Sequence, residues 1–240
     1  MPDWTFELPP IPPRARRVLL FIAMRSEAEP VARALGARCG TARVGGAEVE
    51  LLVPGADPAL GVDRLGPVHA ASALSRALVM GRPDLVVNMG TAGGFESQGL
   101  AIADLVAARD TMFHDARVAL DGFDRLARAH TRLSPGDAAL ERVAARLSAR
   151  IGLASTGSSL DATSDELALF ARERTLAKDM ELAALAVVCR ESGVPLASLK
   201  GITDLVDHHE PAHEAFLRNL ARTSERIAMA AGPFLEEAVS

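Results

Sequence analysis

The feature that most constrains this chain is an alternation. Short apolar runs, each suited to a strand buried on both faces, take turns with longer segments of helical period. "RVLLFIAM" (17–24), "EVELLVPG" (48–55), "PDLVVNMGTAGGF" (83–95), "DLVAARD" (104–110), "IGLASTG" (151–157), "TLAKDM" (175–180) and "VPLASLKGITD" (194–204) read as strands. Between and after them, "EAEPVARALG" (27–36), "GPVHAASALSRALVMG" (66–81), "SPGDAALERVAARLSAR" (134–150), "SDELALFARER" (164–174), "ELAALAVVCRESG" (181–193) and "PAHEAFLRNLARTSERIAMAAGPFLEEA" (211–238) read as helices. Pro67 in a first turn and Gly81 just past an end punctuate the second of these in the expected sense. Such alternation implies one α/β domain with a mostly parallel sheet and helices on both faces.

Residues 1–16 stand apart as a Pro-rich arm, "MPDWTFELPPIPPRAR", without periodicity; it is expected to lie extended over the surface or on a neighbouring subunit. The single domain then covers residues 17–240. The formal net charge of −5 argues against nucleic acid or an anionic membrane as partner, since either would select a basic face. The chain has no tyrosine and one tryptophan, which leaves little for a base-stacking platform. No apolar run approaches the roughly 18 residues of a membrane span. Cys39 and Cys189 are far apart and read as reduced thiols of a cytoplasmic protein.

Ligands of sheets of this kind bind at the carboxyl ends of the strands. Four such ends are informative: Met24 to Glu27, Gly90 to Gly94, Asp179 to Glu181, and Thr203 with Asp204. Three carry an acid. The fourth is a glycine-rich turn containing Thr91, Ala92 and Gly93, where backbone can approach a ligand closely. Each has a plain structural reading too: Glu27 as a first-turn glutamate, Asp204 or Asp207 as a turn cap. Glu181 resists that reading best, because it is followed at once by "LAALAVVC", and a buried carboxylate needs a partner, a raised pKa or a ligand. "HEPAH" (209–213) matches the zinc-hydrolase signature, but Pro211 between the histidines puts His209 and Glu210 ahead of any helix and breaks the one-face geometry. No metal is expected.

Several longer stretches together carry a resemblance: "AMRSEA", "NMGTAGGF", "FHDARV", "STGSSLDATSDE", "KDMELAALA" and "LKGITDLVDHHEPAHEAFLRNL". In these the chain resembles the 5′-methylthioadenosine/S-adenosylhomocysteine nucleosidases, most of all their plant-type branch, from Arg17 to its end. The resemblance implies a three-layer αβα fold of the nucleoside-phosphorylase kind and a homodimer. It also implies hydrolysis of an N-glycosidic bond to adenine with neither metal nor organic cofactor. By position, it makes Asp204 the general acid toward N7 of adenine and Glu27 the base that activates water. Glu181 becomes the acceptor for the ribose hydroxyls, with Met180 packed on the sugar and Asp179 beside it. Thr91 falls near the water, with Ala92 and Gly93 following, and Lys200 and Thr203 line the pocket. Leu160 and Asp161 fall in the turn that reads the adenine edge. His213 falls at the 5′-alkylthio pocket, and Val118 to Phe123 in the stretch that a neighbouring subunit contributes.

The chemistry suits these assignments. Adenine leaves poorly as an anion, so N7 must gain a proton as the bond breaks. The sugar becomes oxocarbenium-like, so nearby carboxylates stabilise it. Three alternatives share the scaffold: a phosphorylase using phosphate in place of water, a nucleosidase for another 6-aminopurine nucleoside, and a non-catalytic nucleoside-binding relative.

Overall fold

The computed structural model describes residues 5–239. Ten strands and seven α-helices follow in order: β1 (Thr5–Glu7), β2 (Arg17–Phe21), α1 (Arg25–Ala34), β3 (Thr41–Val44), β4 (Ala47–Leu52), α2 (Pro67–Met80), β5 (Leu85–Gly94), β6 (Leu105–Phe113), α3 (Phe123–Ala127), β7 (His130–Arg132), α4 (Asp137–Leu147), β8 (Arg150–Thr156), α5 (Ser164–Glu173), β9 (Ala177–Asp179), α6 (Leu182–Ser192), β10 (Leu196–Leu205) and α7 (Ala212–Val239). A short 3-10 turn spans Glu96–Gln98.

Period-2 geometry explains how one apolar run serves two cores. In β2, Val18 and Leu20 join a core with α1, α4 and α7, while Leu19 and Phe21 join a second core with α2 and α6. The same division runs through β5, where Leu85 and Val87 face one way and Val86 the other. Each fully buried side chain of this size contributes roughly 1.5–3 kcal/mol. The layers are therefore α1, α4 and α7 on one face and α2 and α6 on the other, with the sheet between them.

The strand order is β1-β7-β6-β8-β9-β5-β2-β4-β3, with β10 lying against both β5 and β6. Five strands, β5, β9, β8, β6 and β10, thus pair in a closed ring. Six of the ten pairings are parallel, so the sheet is mixed with a parallel majority.

Four elements fall where the sequence reading gave none. β1 lies inside the Pro-rich arm and pairs parallel with β7 at the sheet edge. Arg190 stacks over the Phe6 ring at 4.1 Å, and Leu8 is buried, so this part of the arm is tied to the body of its own chain. Residues 1–4 of the arm lie outside the described residues. β3 is a short hairpin partner of β4, turned by Gly45 and Gly46 at φ 57° and 86°, a conformation open to glycine. The fourth is α3.

Candidate active site

One cavity opens at the carboxyl ends of β5, β9 and β10 and the start of α1. Of the twelve residues that the sequence reading placed around water, ribose and purine, eleven line it: Glu27 from α1; Thr91, Ala92 and Gly93 from β5; Leu160; Asp179, Met180 and Glu181; and Lys200, Thr203 and Asp204 from β10. The twelfth, Asp161, does not. It is exposed on the outer side of its turn, and Leu160 is the residue that faces inward.

Glu27 is 3% exposed. It is the third residue of α1, and its Oε2 accepts the Met24 N–H at 3.3 Å, the ordinary task of a first-turn glutamate. Its Oε1 has a second task, accepting both the Thr91 N–H at 2.7 Å and the Thr91 hydroxyl at 2.6 Å. Burial raises its pKa, while the bonds from Thr91, the charge of Lys200 and the Met24 amide oppose the rise. Gly90 lets the carboxylate approach, since a Cβ there would stand 3.3 Å from Oε2.

Asp204 is 2% exposed and owes its direction to an irregularity. The register of β10 on β5 slips between Ile202 and Asp204, so Thr203 is the extra residue of a bulge, a device that re-aims side chains. The Thr203 hydroxyl lies 2.8 Å from Asp204 Oδ1 and 3.3 Å from the Ala92 carbonyl. On α7, Asn219 Nδ2 donates to the Thr203 carbonyl and to the Ala215 carbonyl, both at 2.9 Å. Burial raises the Asp204 pKa, opposed by the Thr203 bond and by the charge of Lys178. Asp207, a cap by the sequence reading, does cap a turn, though a distant one: its oxygens accept the Glu96 and Ser97 N–H groups.

Glu181 precedes α6 and is 8% exposed. Its Oε1 accepts the Gly66 N–H at 2.9 Å, and Oε2 has no hydrogen-bond partner among the described residues. Burial pushes its pKa up to about 7, helped by the nearby Asp179 carboxylate and opposed by Lys200. Asp179 behaves differently. Its carboxylate is filled by protein: Lys200 Nζ at 2.6 Å, the Thr156 hydroxyl at 2.5 Å and the Leu182 N–H at 3.0 Å. It closes the charge of Lys200 and the start of α6, and lines the cavity without a free oxygen pair.

Sequence reasoning missed several lining residues. Lys178 sits in β9 opposite Gly93, with Leu65, Val206 and Phe216 supplying apolar wall. His213 is exposed and outside the cavity; the residue that α7 presents is Phe216, one turn further on. The only sequence signal for Lys178 was a lysine inside a run otherwise fit for a buried strand. His209 and Glu210 precede α7, and Glu210 pairs with Arg218, so "HEPAH" does not place two histidines on one helical face.

A closed ring of strands with four buried carboxyls lining the cavity at its open end defines the class. Residues 15–236 match the family model of the phosphorylase superfamily, to which the chain belongs. It is 38% identical over 173 residues to a 5′-methylthioadenosine nucleosidase of Arabidopsis thaliana, covering 72% of this chain and 63% of that protein. It is 34% identical over 180 residues to a 5′-methylthioadenosine/S-adenosylhomocysteine nucleosidase of the same plant, covering 75% and 69%. The apo structure of the Arabidopsis 5′-methylthioadenosine nucleosidase superposes with a TM-score of 0.84 at 30% identity, over 93% of this chain and 96% of that one. Within the superfamily, the chain falls among the 5′-methylthioadenosine/S-adenosylhomocysteine nucleosidases.

Proposed function

We propose that the chain hydrolyses the N-glycosidic bond of 5′-methylthioadenosine, and of S-adenosylhomocysteine where the 5′ pocket admits it, releasing adenine and the 5-thioribose. The observation that carries this is the disposition of Glu27, Glu181 and Asp204 around one cavity, each buried and each with a raised pKa. Asp204, protonated, donates to N7 as the C1′–N9 bond breaks. Glu27, ionised, takes a proton from the water whose oxygen bonds to C1′. The unpaired oxygen of Glu181 accepts from the ribose hydroxyls, with Met180 against the sugar. Raised carboxyl pKa values suit an acid that must hold its proton near neutral pH. No step calls for a metal or an organic cofactor.

A phosphorylase would need a free cation beside Glu27. The candidates are engaged elsewhere: Lys200 with Asp179, and Arg25, outside the cavity, with Asp63 at 2.7 Å. A homodimer is part of the proposal. Leu65 and Leu160 line the cavity yet are 40% and 41% exposed, and Leu120 and Phe123, within the expected neighbour segment, are exposed too. Apolar surface at a cavity mouth favours a covering partner. No helix among the described residues is long and apolar enough to cross a membrane. Two unpaired cysteines favour a cytoplasmic setting.

The test is adenine release from 5′-methylthioadenosine in phosphate-free buffer, repeated with phosphate. Equal release in both supports hydrolysis; release only with phosphate makes the chain a phosphorylase. Asp204→Asn is expected to abolish turnover while an uncleavable nucleoside still binds; a fully active variant removes Asp204 from the acid role.

A further inference from the structure

Lys178 is 4% exposed, a cation in the interior that the reaction scheme above leaves without a task. Its ammonium donates to the Ser159 carbonyl at 2.5 Å and to the Leu160 carbonyl at 2.9 Å. The loop it holds, 157–161, lines the cavity through Leu160. The first half of that loop is fixed by other means. The Gly157 N–H donates to the Asp179 carbonyl, the Ser158 N–H donates to Asp115, and the His114 ring lies so close that a Cβ on Gly157 would sit 2.1 Å from its Nε2. For residues 159–161 the backbone hydrogen bonds among the described residues are the two that Lys178 makes. The groups whose charges face Lys178 are Asp204 on β10, Glu166 on α5, Asp161 in the loop and Asp179 on β9, with His114 behind the loop. The charge of Lys178 in turn opposes the rise that burial causes in the Asp204 pKa.

We propose that Lys178 is a positioning residue with two linked tasks: it fixes the loop edge against which the purine lies, and it stands as counter-ion to the Asp204 carboxylate left by proton transfer. The first task rests on the cavity taking a purine nucleoside, and the second on the nucleosidase reading. A lysine is suited to both because one ammonium carries three donors. Two hold the carbonyls, and the charge acts on Asp204 without needing a direct bond. Burial in a low-dielectric wall makes that charge effective over a distance at which water would screen it.

The test compares Lys178→Met, Lys178→Gln and Lys178→Arg with the wild-type chain, each first checked for cooperative thermal unfolding. Two readouts are used: adenine affinity by calorimetry, and the pH profile of methylthioadenosine cleavage. Lys178→Met is expected to bind adenine about tenfold or more weakly and to lose roughly 10–100-fold in kcat/KM, the scale of a misplaced binding edge. Asp204 must be protonated to act, and removing a facing cation raises its proton affinity. The high-pH limb therefore moves to higher pH in Lys178→Met and Lys178→Gln and stays in place in Lys178→Arg. A merely structural lysine would lower activity at every pH and leave the limb where it was, and that result overturns the proposal. So do wild-type adenine affinity in Lys178→Met, or loss of fold in both neutral variants. Should the wild-type chain cleave no adenine nucleoside, the function proposed above fails on its own, and adenine affinity still decides the role of Lys178 in the loop.

Discussion

Gly93 offers the sharpest test of how Asp204, the proposed acid, is held. A Cβ at this position would stand 2.5 Å from Val206 Cγ2 and 2.9 Å from Asp204 Oδ2. These are about 0.9 Å and 0.5 Å inside the 3.4 Å at which such contacts become ordinary. Val206 can give way, since it is half-buried near the end of β10. Asp204 cannot yield freely, because Oδ1 is tied to the Thr203 hydroxyl and the bulge behind it is pinned by Asn219. Gly93→Ala should therefore cost about 1–3 kcal/mol of stability as overpacking. It should also swing the carboxyl by a good fraction of an ångström, enough for a loss of roughly 10–100-fold in kcat/KM, or about 1.4–2.7 kcal/mol of transition-state stabilisation. Urea unfolding measures the first and adenine release the second. An alanine variant with wild-type activity would mean that Asp204 is not held against this strand, and the account of the acid would have to be abandoned.

Two further perturbations follow from the same geometry. Glu181 holds its proton up to about 7 in the folded chain, against 4.5 as its ordinary value. The folded state then binds more protons in that window, so the contribution of this group to stability falls as pH rises from 4.5 through 7. Glu181→Gln should remove that slope, gaining stability relative to wild type between pH 5 and pH 8 in urea titrations while binding an uncleavable nucleoside more weakly; a constant difference across that range would contradict the burial argument. Asn219→Leu leaves the Thr203 carbonyl at the bulge without its donor, which should cost about 1–3 kcal/mol. It should lower kcat more than it changes KM, and unchanged kcat would separate the bulge from catalysis.

Much of this was legible in the sequence because it rests on local rules. β2, β5 and β10 are buried on both faces and so read as apolar runs, and the acids at strand ends stood out against them. What was not legible depends on partners distant in the chain. β1 hides in a proline-rich stretch, since only the presence of β7 makes "TFE" a strand. The bulge at Thr203 is invisible in "GITDL", because strict alternation would send Thr203 and Asp204 to opposite faces, whereas both line the cavity. Asp161 and Leu160 are neighbours in a turn, and that Leu160 faces inward cannot be read without Lys178, which reaches the Leu160 carbonyl from β9. Asp179 and Glu181 look alike in "KDME", yet one is saturated by Lys200 and Thr156 and the other keeps an oxygen open.

The ring of five strands bears on how the protein comes into being. β10 enters between β5 and β6, partners roughly a hundred residues earlier in the chain, so this closure waits on long-range contacts that form slowly. During synthesis Glu27, the proposed base on α1, and the glycine turn of β5 emerge long before Asp204, and domains complete as units once their last elements are available. A nascent or truncated chain thus holds one half of the proposed acid–base pair without the other. On that proposal competence arrives together with closure of the ring, and an unfinished copy is chemically idle as well as unstable.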